Sequence, residues 1–213
     1  MANVLLSAKA VGSVVKLKVN GTAREFIVVH QGKPSSIYDD SCNGTWLLMK
    51  DCYVSRAWHR ATDNKYESSD IHTYLNSTFL NLLDSNIKGA IKQVKLPYRK
   101  NGGSGGTTQQ GANGLSCKIF LLSAPEVHYE HSRIDSGEGA ALSYFASCAT
   151  NDADPKRVAY LNGSAASWWL PVHPRHQVRV GRQLQRLLHL QRPHNQLARH
   201  PPRFGSSLYA LGL

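Results

Sequence analysis

The last 43 residues of this 213-residue chain, Pro171 to Leu213, contain no Lys, Asp, Glu or Trp. The same stretch carries seven Arg, five of the ten His and five of the nine Pro. Residues 1–170 hold 18 basic and 14 acidic side chains, a net +4 against +11 for the whole chain. The basic character that invites a nucleic-acid reading is therefore mostly a property of the tail. Other absences narrow the field. No apolar run approaches the roughly 20 residues of a membrane-spanning helix. The first ten residues lack a basic n-region, so no secretory signal is expected. The four cysteines, Cys42, Cys52, Cys117 and Cys148, form no C-x-x-C pair, which removes the usual zinc and redox motifs. They read as buried reduced thiols, with a Cys42–Cys52 bridge left open. No G-x-S-x-G elbow and no phosphate-binding G-x-x-x-x-G-K-[ST] loop occur.

What is present suits one packed domain. Hydrophobic residues make up 41% of the chain, enough for a sizeable core. Val14–Val19 alternates as a strand, Asn20-Gly21 is a hairpin turn, and Glu25–His30 is the return strand. Trp46–Lys50 reads as a buried strand. Ser69 or Asp70 can cap the first of two or three short helices that end near Val94. Val94–Tyr98 is extended and broken by Pro97, and 101–114 is a Gly/Ser-rich flexible loop. Lys118–Leu122 is a core strand, and Ser123-Ala124-Pro125-Glu126 looks like a helix start. Arg157–Leu161 is a strand followed by a turn at Asn162-Gly163. Strands and helices do not alternate regularly, so the fold class is α+β rather than a doubly wound sheet.

Few constellations carry chemistry. His128, Glu130 and His131 put three potential ligands in four residues, but without the spacing of a metal motif; a surface turn is the better reading. Asp39-Asp40 and Asp152-x-Asp154 lack the calcium-loop pattern and read as turn residues. Neither a cofactor nor a metal is expected. Trp168-Trp169 is the most distinctive element of the body. Neighbours on an extended segment face opposite ways, which makes one ring core and the other a candidate ligand platform; packing of both Trp168 and Trp169 is the better reading. In the tail, Val180, Leu184, Leu187 and Leu188 share a helical face, the pattern of a basic amphipathic helix for nucleic acid or membranes.

Several segments together resemble one family. They are Phe26–Ser35, Trp46-Leu47-Leu48, Tyr74–Phe79, Lys118–Ser123 and Ser167-Trp168-Trp169-Leu170. The family is a domain of bacteria and their phages, often in virion or tail-associated proteins, and the resemblance spans about residues 11–170. It divides the chain into a lead at 1–10, a globular domain at 11–170 and an aberrant tail at 171–213. What it implies is a C-type-lectin-like fold, similar to the formylglycine-generating-enzyme group, whose relatives include ligand-binding tips varied by diversity-generating retroelements. The implied function is a non-enzymatic ligand- or receptor-binding domain of a phage or prophage tail protein. Its expected partners are a bacterial surface protein or glycan, or other virion proteins, with no specific nucleic acid and no membrane. A homo-oligomer is compatible with this, and the expected location is the virion or the bacterial cytoplasm. The alternatives are a virion structural or assembly protein, a relative of the formylglycine-generating enzymes, and a basic nucleic-acid-binding tail.

Members of the family resembled continue S-W-W-L with R-S and end in G-[IV]-R-P-A-L-x-L-P; this chain departs after Leu170. One inserted base at that codon makes the middle base of each tail codon the first base of the neighbouring frame. From Arg199 to Leu208 those middle bases are compatible with G-I-R-P-A-L-V-L-P-S at every position. The tail is thus expected to be an out-of-frame reading of the family's own ending, with the closing strands missing or disordered. Sequencing codons 165–213 of the gene tests this. The neighbouring frame should spell both R-S after W-W-L and the terminal motif; a codon series unable to encode them rejects the frame change.

Overall fold

In the computed structural model, the described residues are 5–60, 65–102, 106–130, 136–150, 154–168, 170, 204–207 and 210–212. The scaffold begins with the hairpin that the Asn-Gly pair dictates. Strands β1 (Val14–Val19) and β2 (Thr22–Gly32) flank Asn20 and Gly21, whose φ values of 50° and 72° suit a tight hairpin turn. Strand β3 (Gly44–Met49) pairs antiparallel with β2. The register shifts between Val28 and His30, a bulge that leaves Val29 outside the ladder. Strand β4 (Val54–Ala57) follows.

The chain then changes period. The Ser69 hydroxyl accepts the His72 N–H at 3.2 Å and caps α1 (Asp70–Tyr74). A π-helical turn (Leu75–Phe79) leads into α2 (Leu80–Leu82), and α3 (Ser85–Ala90) completes the helical region. Pro97 separates β5 (Val94–Leu96) from β6 (Tyr98–Lys100). The expected flexible loop at 101–114 is more structured than its composition suggests. It contains β7 (Thr107–Gln109), paired with β6, and a 3-10 turn at Gly111–Asn113. Strand β8 (Leu115–Cys117) pairs with β5, and β9 is only Ile119–Phe120. The hairpin β10 (Ala159–Leu161) and β11 (Ser164–Ala166) turns at Asn162-Gly163, with φ of 52° and 80°.

Two further strands come from the chain's end. Strand β12 (Phe204–Ser207) pairs with β4, and β13 (Ala210–Gly212) lies between β3 and β9. The main sheet therefore runs β1-β2-β3-β13-β9, antiparallel throughout. The expectation that the closing strands are missing or disordered is corrected for these residues. Ladder bonds are made by the main chain and do not depend on side-chain identity. A three-residue Ala-Leu-Gly segment meets the sterics: a Cβ at Gly212 would stand 3.4 Å from Val94 Cγ1. The Gly212 carbonyl also accepts the Lys92 N–H at 3.1 Å. The rest of the basic tail, 171–203, and with it the amphipathic pattern at 180–188, lies outside the described residues. Short helices on small antiparallel sheets make the fold α+β.

The core is centred on Trp46, in edge-to-face contact with Phe120 at 5.3 Å and Tyr38 at 5.7 Å between ring centroids. No helix among the described residues is long and apolar enough to cross a membrane. All four cysteines are free and buried. Burial pushes the Cys42 thiol up to about 11 and the Cys52 thiol up to about 12, so both stay protonated at neutral pH.

The outer side of β9 is closed by one side chain. Asn76 Oδ1 accepts the N–H groups of Lys118 (2.8 Å) and Ile119 (3.2 Å), while Nδ2 donates to the Ile119 carbonyl at 2.9 Å. The amide occupies the place of a further strand. Asn76→Leu should cost about 2–3 kcal/mol in urea unfolding, because the buried strand groups are left without partners. A loss under about 0.5 kcal/mol would show that water replaces the amide.

Candidate functional site

Between Phe120 and Ala159 the described chain has no strand, only turns and two 3-10 segments, Ser136–Glu138 and Pro155–Arg157. This irregular cap on a sheet scaffold is where a binding face would be carried. Its first element is a single helical turn. Ser123 and Glu126 form a reciprocal capping box. Glu126 Oε2 accepts the Ser123 N–H at 2.7 Å, and Ser123 Oγ accepts the Glu126 N–H at 3.4 Å. The helix start expected at Ser123-Ala124-Pro125-Glu126 is real in its chemistry but goes no further than one turn. His128 adopts φ +54°, the His128 N–H donates to the Pro125 carbonyl, and the Tyr129 N–H donates to the Ala124 carbonyl. That is a Schellman ending, reached before a second turn forms.

Two buried ionisable residues fix this turn to its surroundings. Arg157 is 1% exposed and donates through Nη1 to the carbonyls of Val127 (2.8 Å) and His128 (3.2 Å), and through Nη2 to Ala149. It thus caps the free carbonyl end of the turn and ties it to the 149 segment. The Arg157 carbonyl in turn accepts the indole N–H of Trp168 at 2.9 Å. Glu126, 2% exposed, accepts the Tyr38 hydroxyl at 2.8 Å, and that hydroxyl accepts the Ala140 N–H at 3.0 Å. Burial raises the Glu126 carboxyl to about 7, against partial lowering by Ser123 and Tyr38. The segment 138–145 is bound along its length. The Leu142 N–H donates to the Glu126 carbonyl, the Ser143 N–H to His30 Nδ1 and the Tyr144 N–H to the Val29 carbonyl. The β2 bulge is what frees the Val29 carbonyl for this.

Trp168 is 2% exposed and belongs to the core, so its ring offers no platform for a ligand. Trp169 and His131 lie outside the described residues. His128 Nδ1 is 2.9 Å from the Cys148 carbonyl, and the Glu130 N–H donates to the Thr150 carbonyl, so the two serve the turn. Among the described residues no three His, Cys, Asp or Glu side chains are grouped to hold a metal. Asp39 accepts the Ser41 N–H at 2.9 Å and Asp40 pairs with Lys33 at 2.6 Å. Asp154 accepts the Lys156 N–H at 2.9 Å; Asp152 lies outside the described residues. Sequence reasoning missed Arg157, read as the first residue of a strand, and Tyr38. The S-x-x-E spacing at Ser123 was the one signal that pointed to Glu126.

The cap also holds an exposed contact, Ser143 Oγ at 2.8 Å from His30 Nδ1. That nitrogen already accepts the Ser143 N–H at 3.2 Å, so it acts as a local cap more readily than as a base.

These features define an α+β domain that presents a stapled, irregular cap. A profile described as a domain of unknown function, DUF6273, matches residues 43–180, and the chain belongs to this family. The match takes in β3 through β11 and the whole cap and leaves the first hairpin outside. No curated protein and no solved structure matches the chain.

The two staples differ from surface pairs in energetic weight. Arg157→Met should lower unfolding stability by about 3 kcal/mol, since three carbonyls lose their donor. Lys156→Ala, on the exposed side of the same turn, should cost under about 1 kcal/mol. Equal losses from both in chemical denaturation would mean that Arg157 is no staple.

Proposed function

We propose that this chain is a non-enzymatic ligand- or receptor-binding domain of C-type-lectin-like type, carried by a phage or prophage tail-associated protein. The cap between β9 and β10 is the binding face, and the partner is a bacterial surface protein or glycan. The observation that carries the reading is how the cap is held. Two of its buried ionisable groups, Glu126 and Arg157, spend their hydrogen bonds on backbone groups and Tyr38, as positioning groups do. Four exposed positions between them, Ala141, Ser143, Ala146 and Ser147, carry small side chains, suited to variation without loss of the scaffold.

The test is binding of the labelled 213-residue chain to intact bacterial cells. Saturable binding is expected, and Ala141→Arg with Ala146→Arg should reduce it at least tenfold while the thermal midpoint stays within a few degrees. Binding unchanged by these substitutions would move the face elsewhere. No binding to any cell surface, with incorporation into purified particles, would favour a structural role in the virion.

A further inference from the structure

Glu126 lies beneath a strap. Gly139 crosses directly over it: a Cβ at that position would run into Ser123 Oγ, and would stand 2.9 Å from Glu126 Cγ and 3.1 Å from the Tyr38 hydroxyl. The strap is tied to the carboxyl through a relay, Ala140 N–H to Tyr38 hydroxyl to Glu126 Oε1. It is tied to the same residue's main chain by the Leu142 N–H, at 3.0 Å from the Glu126 carbonyl. The segment 138–142 is thus the part of the cap that lies directly over Glu126 and is tied to it.

We propose that residues 138–142 form a proton-gated cover, held shut over Glu126 while its carboxyl is protonated and loosened when the carboxyl ionises. The proposal is independent of what the cap binds. A buried carboxylate needs a cation or a full set of donors. Tyr38 and Ser123 each donate to one carboxyl oxygen of Glu126, and the other titratable groups that feel its charge are Cys42 from the segment before β3, Tyr66 from the turn before α1 and Cys117 from β8. None of these is a cation. Glu138, on the strap itself, is also buried. The strap's other titratable neighbours lie further along it. His30 receives the Ser143 N–H, and Lys156 donates to the Tyr144 carbonyl.

The sign follows from the environments. Closed, the carboxyl titrates at about 7; opened to water, it returns toward its ordinary 4.5. Closure is fully favoured below 4.5, weakens as pH rises from there to about 7, and stays weak above. Burial lowers the His30 value, so His30 acts in the opposite direction, opposing closure as pH falls below its ordinary 6.5.

The experiment is hydrogen exchange of the Ala140 and Leu142 amides at pH 5 and pH 8, corrected for intrinsic rates. In the wild-type chain their protection should fall on the order of a hundredfold between the two. Glu126→Gln should keep protection constant, and Gly139→Ala should remove it at both pH values. Protection that is equal at the two pH values in wild type overturns the proposal, as does a Glu126→Gln variant that loses protection like wild type. Should Glu126→Gln fail to fold, the carboxyl carbon shift of Glu126 in the wild-type chain decides. A midpoint near 7 supports the cover, and one near 4.5 overturns it.

Discussion

The sheet depends on a strand taken from the far end of the chain. β3 contributes Trp46, Leu47 and Leu48, and β9 contributes Ile119 and Phe120; all five are at most 3% exposed. Neither strand can pair with the other directly, because β13 lies between them. Without Ala210–Gly212, two rows of main-chain donors and acceptors would face each other inside the core with no partner and no water. Buried backbone groups in that state cost on the order of 1–3 kcal/mol each. The demand is for backbone, and almost any extended segment with small residues answers it. That is why a tail whose composition departs so far from the body still supplies a strand at its extreme end.

The two outer edges of the same sheet are closed in different ways. β1 is an edge strand whose exposed positions alternate with the half-buried ones, and two of them are Lys16 and Lys18. Charged side chains on an edge discourage pairing with another chain. β9 has only two residues and no room for such a device, so the Asn76 amide from the helical region closes it. A helix placed there by Ser69 thus does two jobs: it packs Ile71, Leu75 and Phe79 into the core and presents an amide to the sheet edge.

How much of this could be read from residue order depends on the range of the interaction. The Asn20-Gly21 and Asn162-Gly163 turns are local, set by residues that tolerate positive φ, and both hairpins follow from them. The Ser69 cap and the S-x-x-E box at Ser123 are local as well. The box was legible, but the single turn that follows was not. What ends that turn is His128 in a left-handed conformation together with an arginine 29 positions later in the chain. Asn76 and Lys118 are 42 residues apart, and Tyr38 and Glu126 are 88 apart. Nothing in the neighbourhood of either residue announces the other. β4 and β13 were illegible for a related reason: each is short, and its partner is chosen by the backbone rather than by a side-chain period. Trp168 shows the limit of reasoning from alternation. The rule that neighbours point apart says that one tryptophan is inside, and only the Arg157 carbonyl that receives its N–H says which.

The cap is held by one staple that is permanent and one that is conditional, and this difference follows from side-chain chemistry. A guanidinium keeps its proton at any accessible pH, so the carbonyls of Val127, His128 and Ala149 always have their donor. A carboxyl does not, and Glu126 sits where its neutral form is favoured until near-neutral pH. Both groups act on the same helical turn, Arg157 at its end and Glu126 at its start. The Arg157 side therefore positions 127–128 and 149 firmly against β10, while the Glu126 side leaves the 138–142 strap responsive to its surroundings. A cap built this way combines a fixed half with an adjustable one, and the fixed half is anchored by the same residue that seats Trp168 in the core.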